Sequence, residues 1–179
     1  MNKIDVLALF LPAAMLMAGL FGSLHDQISY SISSEYFTKF KFIQFRLLDP
    51  DIPARIRVAK VGFLASWWMG IPLGVLCGSA GFIQRSPALM LVAVSWSLPI
   101  IAAFTLTVAV AGLAYGWVQT RTIDRTAYRR WFVPPDVKEL RRFLCAGYMH
   151  NSAYLGGVLS IPVAWLFHLV FRILHTSAA

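Results

Sequence analysis

The chain has 179 residues, 58% of them hydrophobic and only 13% charged, with a formal net charge of +8. The distribution of those charges argues against a charge-covered soluble domain, because no Asp, Glu, Lys or Arg occurs between Asp5 and His25, Lys60 and Arg85, Arg85 and Arg121, or Arg142 and Arg172. Each gap can hold a spanning helix of roughly 20 apolar residues, whereas open strands would leave backbone groups unpaired in lipid and a barrel would show alternating segments of about 10 residues.

The expected fold is therefore all-α: a polytopic, four-transmembrane-helix bundle forming a single integral membrane domain over 1–179. The first span is expected at about 4–24, with Ala14, Ala18 and Gly22 four apart on one face, a spacing that lets helices approach closely. Ile28-Ser-Tyr-Ser-Ile32 alternates strictly and predicts a short extended stretch. From Ser34, the residues Tyr36, Phe37, Phe40, Ile43, Leu47 and Leu48 recur at helical spacing, with Glu35, Lys39 and Arg46 between them. This pattern predicts an amphipathic helix in the membrane interface, ended by Asp49-Pro50.

The second span is expected at about 58–83. It carries Gly70, Gly74 and Gly78, a double G-xxx-G row that marks either a tight helix contact within the chain or a seam between copies. Ser86-Pro87 is a cap and first-turn pair for the third span, about 87–119. After a basic stretch, Pro134-Pro135-Asp136 predicts a helix start leading into the fourth span, about 149–174. Each span contains one proline, Pro12, Pro72, Pro99 and Pro162, as ordinary membrane helices commonly do.

Orientation follows from the basic residues. Only Lys3, Arg85 and Arg172 lie away from the two long loops; of the other 13 basic residues, 12 fall within about 25–57 and 120–148 and Lys60 follows at the start of the second span. The positive-inside rule makes both loops cytoplasmic and both termini external, in a multi-pass protein of a cell inner membrane. The excess charge then reads as topology and contact with anionic membrane lipids, with no nucleic acid as partner. Reading the first span as a cleaved signal peptide would place the basic segment Lys39–Lys60 outside, against that rule. Cys77 and Cys145 fall near opposite membrane faces, too far apart for a disulfide.

This topology gathers polar residues at the cytoplasmic membrane face. His25, Asp26 and Gln27 follow the first span, Glu35 opens the interfacial helix, and His150 and Asn151 sit at the inner end of the fourth. Gly147, His150, Asn151, Tyr154 and Gly157 share one side of that helix. Two imidazoles with one or two carboxylates suit Zn, Fe or Mn. The candidate metal site is thus His25, His150 and Asp26 or Glu35, supported by Tyr30, Tyr36, Asn151 or Tyr154, acting on a lipid-soluble or amphiphilic substrate. Against it stands the reading that both histidines bond loop carbonyls while the two acids cap helices. Another reading makes His25 and His150 the axial ligands of haem b. A non-enzymatic accessory subunit, or a homo-oligomer joined at the glycine row, and a small oligomeric transporter also remain open. His168 reads as an interfacial residue near the outer face. No nucleophile elbow, phosphate-binding glycine loop or dinucleotide fingerprint occurs.

Overall fold

A computed structural model describes residues 1–175. Their regular structure is entirely helical, and four helices are long and apolar enough to cross a membrane. Helix α1 runs Lys3–Ile32. The Asn2 side chain accepts from Ile4 N and Asp5 N, and Asp5 accepts from Asn2 N, which satisfies amides that the first turn leaves free. Ser33 ends it in an extended conformation, and its Oγ accepts from Tyr36 N at 3.3 Å to start the next segment.

The alternating stretch Ile28–Ile32 is helical, not extended. Two contacts override the local pattern: Ser29 is fully buried against His150, and Arg55 donates to Gln27 O at 2.9 Å and to Ser31 Oγ at 3.0 Å. The segment that follows is also not one regular helix. It comprises α2 (Ser34–Tyr36), a π-helical turn (Phe37–Lys41) and α3 (Phe42–Gln44). Tyr36, Phe37 and Phe42 bury their rings in a core with Val58, Val61, Phe143 and Ala146, so much of its apolar face meets protein.

The second long helical rod, Ala54–Ile83, joins α4 (Ala54–Ser66) to α5 (Gly70–Gly78) through a tight 3-10 turn at Trp67–Met69. Pro72 explains the turn. It has no N–H for the Trp68 carbonyl four residues earlier, and its ring crowds that oxygen. Helix α6 (Pro87–Gln119) starts with Ser86 Oγ accepting from Leu89 N at 3.2 Å. Helix α7 runs unbroken through Leu140–Leu174 and begins four residues after Asp136, later than the proline pair implies.

Helix α1 packs against the second rod, α6 and α7. Its tightest approach is at Gly22 and Gly62: a Cβ on either would lie 2.2 Å from the other's carbonyl oxygen. The glycine row continues the same seam, because Gly70 meets the Met15 backbone, Gly74 meets Ala14 and Leu11, and Gly78 meets Leu7 and Phe10. The row thus makes a close contact within the chain. His168 is fully buried in the bundle, with Gln84 Nε2 donating to its carbonyl at 2.9 Å.

Gly62→Ala is expected to destabilise the protein by roughly 1–3 kcal/mol, the usual range for overpacking. Gly157→Ala should be nearly neutral, since its new carbon would meet nothing closer than a Leu73 methyl at 3.5 Å. Thermal unfolding of both variants in one detergent reads the difference; equal midpoints would show that the Gly22–Gly62 contact is not limiting.

Candidate metal centre and apolar cleft

The last turns of α1 present Gly22, His25, Asp26 and Ser29 on one face, because residues three and four apart are neighbours. All four are buried, and α7 lays His150 against them. His25 Nδ1 donates to Asp26 Oδ1 at 3.0 Å, and His150 Nε2 lies 3.1 Å from Ser29 Oγ and 3.7 Å from Asp26 Oδ1. The two imidazoles meet edge to face with centroids 4.6 Å apart. Phe21 stacks on the far side of His25, and Tyr36 stacks on His150 at 4.8 Å. One potential ligand atom from each of His25, Asp26 and His150 lies within 4.8 Å of the others.

The hydrogen-bond pattern defines what this cluster lacks. With its Nδ1–H given to Asp26, His25 carries its lone pair on Nε2. That Nε2 and Asp26 Oδ2 are buried without a hydrogen-bond partner, in residues each only 3% exposed. Both atoms are acceptors, and leaving such a group unpaired costs about 1–3 kcal/mol. Nε2 lies on the ring edge away from Asp26, so the two acceptors call for separate partners, whereas His25 Nδ1, Asp26 Oδ1 and His150 Nε2 converge on one point. Metal–nitrogen bonds of about 2.1 Å place neighbouring ligand atoms roughly 3–4 Å apart; His25 Nδ1 and His150 Nε2 lie 3.0 and 3.7 Å from Asp26 Oδ1, so an ion shared by the three residues would take the place of the Nδ1 proton.

Two other arrangements fit less well. Axial ligation of haem puts an ion between opposed imidazoles, and two bonds of about 2 Å would hold the centroids roughly 6 Å apart. Rings 4.6 Å apart and edge to face leave no slot for the macrocycle. Ser29, His150 and Asp26 resemble a nucleophilic triad in composition, but serine and carboxylate both address Nε2, whereas a triad needs them on opposite ring nitrogens.

Glu35 stands apart from the cluster. Its carboxylate accepts from Lys138 N and Glu139 N at the start of α7 and pairs with Lys39 Nζ at 2.8 Å. Lys39 also binds the Asp136 carbonyl and carboxylate, which ties the α2 segment to the loop before α7. The Lys39 bond, followed by the Glu139 amide, lowers the Glu35 pKa from 4.5 to about 2. Tyr30 packs on Phe37 beneath the Arg55 guanidinium, 4.8 Å from its ring. Asn151 is exposed, while Tyr154 lines the cleft described next.

His25, Asp26 and His150 lie at the wall of a cleft of about 980 Å³, its open mouth included. It runs between α1, the second rod, α6 and α7, and its walls are chiefly apolar, among them Phe10, Met17, Leu73 and Ile101. Lys41 reaches the same cleft, although the sequence reading leaves it among the basic loop residues. Its spacing of four from Phe37 was the available signal that it shares the apolar side. Ser29, three and four residues after Asp26 and His25, was legible in the same way. No protein-family model, curated protein or solved structure matches this chain.

Glu35→Ala is expected to cost about 1 kcal/mol through loss of the cap on α7, with metal content unchanged. Because folding lowers the Glu35 pKa, its contribution is complete above about pH 4.5 and fades as pH falls toward 2. Acid titration of stability should thus lose a component in that window in Glu35→Ala; identical profiles would rule out the linkage.

Proposed function

We propose that this chain is a multi-pass membrane protein that holds one divalent transition metal among His25, Asp26 and His150 and exposes it to a lipid-soluble or amphiphilic substrate in the apolar cleft. One observation carries the reading: His25 Nδ1 and His150 Nε2 converge on Asp26 Oδ1 at 3.0 and 3.7 Å, in buried residues at the wall of an apolar cavity. Zn, Fe and Mn all suit this mixed nitrogen and oxygen donor set. A metal held there supplies Lewis acidity, polarising a substrate oxygen or activating a water. The protein's share is to hold the His25 ring against Phe21 and the His150 ring between Ser29 and Tyr36, and to keep bulk water away with the cleft walls.

Membrane insertion is supported by the outward surface of the long helices. Leu16 on α1, Trp96 on α6 and Leu166 on α7 are each more than half exposed, a distribution that suits acyl chains and not water. The segment over 34–48 sits at the basic end of the bundle with Ile43 and Leu48 exposed beside Arg46, as expected of an element in the headgroup layer. The basic loops then face the cytoplasm, the termini face out, and the metal centre lies near the inner membrane face.

Elemental analysis of the purified protein is expected to find about one Zn, Fe or Mn per chain, at least tenfold depleted in His25→Ala and His150→Ala. Wild-type protein that retains none after metal loading and dialysis would refute the centre. For topology, Asn2→Cys should react with an impermeant maleimide on intact cells and Arg46→Cys only after lysis; the reverse pattern would invert the orientation.

A further inference from the structure

The cleft has one polar end and a long apolar body. Its wall on α1 extends from Phe10 to His25, roughly 22 Å at about 1.5 Å rise per residue. A hydrocarbon zigzag of ~1.5 Å bonds advances about 1.25 Å per carbon, so this length corresponds to about 18 carbons, room for a chain of roughly 16 carbons and its head. The charged and imidazole groups on the wall, His25, Asp26, Lys41 and His150, gather at the His25 end. An amphiphile would therefore lie in one direction, with its head at the metal centre.

The sign of that head follows from Lys41. Its side chain is buried in a residue only 8% exposed, which is costly for an ammonium unless it is paired. Its Nζ donates to Gln44 Oε1 at 3.2 Å and sits 4.8 Å from the Phe40 ring centre, but it forms no ion pair with a carboxylate among the described residues. An ammonium has three donors, so capacity remains for an anion. Burial lowers the Lys41 pKa and the nearby Asp26 carboxylate works against that shift. Asp26 can balance one positive charge, and a divalent ion in the centre leaves an excess.

We propose that the cleft binds a single-chain amphiphile with an anionic head, a phosphate or a carboxylate, placed between Lys41 and the metal centre with its chain along α1 toward Phe10. The proposal rests on the metal reading, because the ion supplies the excess positive charge. Lys41 is a binding and positioning residue here, and the metal ligands are other side chains.

The test uses metal-loaded full-length protein in neutral maltoside micelles, with retention of hexadecyl phosphate, palmitate, hexadecanol and inorganic phosphate read by native mass spectrometry and metal content read in parallel. Hexadecyl phosphate or palmitate is expected to be retained at least tenfold over hexadecanol, and the preferred one identifies the head. Inorganic phosphate alone should not be retained, since it lacks the chain. Lys41→Gln should erase the tenfold preference while keeping one metal per chain, and Lys41→Arg should restore it. Ala102→Phe, which narrows the cleft wall, should reduce retention of every chain without loss of metal. Equal retention of hexadecanol by the wild type, or an unchanged preference in Lys41→Gln, would overturn the proposal even with stoichiometric metal. Absence of metal in the wild type would defeat the metal reading separately, and with it the charge argument for the head.

Discussion

The approach of α1 to the second rod at Gly22 and Gly62 sets the geometry on which the polar centre depends. Each glycine lies where any side chain would meet the other's carbonyl at 2.2 Å. Gly22 shares a helix face with His25, Asp26 and Ser29, so the contact that brings the backbones together also turns these polar groups inward. Further along the same seam, the larger partners at Gly74 and Gly78 leave more space, and the cleft opens beside Ala14 and Phe10. One row of small residues thus produces a closed end that carries the polar groups and an open apolar body. α7 completes the closed end by bringing His150 to Ser29 and Asp26.

Burial makes this arrangement expensive, and the surroundings indicate where stability has been given up. A carboxylate and two imidazoles in a chiefly apolar interior need partners, and the protein supplies only some of them. An apolar replacement of similar size would pack without that cost. At the same time the rings are held firmly: Phe21 and Tyr36 stack on the two imidazoles, and Phe37 packs at 6.1 Å from His150. Rigid positioning of groups that are left partly unpaired is the pattern expected of a binding centre, where a ligand completes the hydrogen-bonding or coordination count.

The helices were legible because hydropathy and charge gaps act over twenty residues at a time, and the apolar stretches stand out at that scale. Their ends were less so. Ile28–Ile32 alternates like a strand, yet Arg55 and α7 hold it helical through contacts no local window contains. The meeting of His25 with His150 depends on how α7 slides along α1, and a sequence separation of that size carries no distance information. The function of Glu35 followed the same limit: an acid near the start of a short helix looked like a ligand or a cap for its own helix, but its oxygens cap a helix more than a hundred residues away. The glycine row marked a close contact without naming its partner, which proved to be α1.

Lys41 shows how an element outside the long helices can tune a centre within them. An α-helix over 34–44 would be the simpler structure, but Phe42 N bonds Phe37 O and the chain takes a π-helical turn. Such turns are rarer and less favourable than α geometry, and they are kept where they redirect a side chain. Here the turn ends at a buried lysine. Two anchors hold it: Glu35 and Lys39 bind the start of α7, while Arg57 lies over the Phe42 ring at 4.6 Å. The cation's position is therefore fixed by contacts separate from the side chains proposed to hold the metal. Charge at the head of the cleft can change without moving His25, Asp26 or His150, so the head selection and the metal binding proposed for this fold rest on separate side chains.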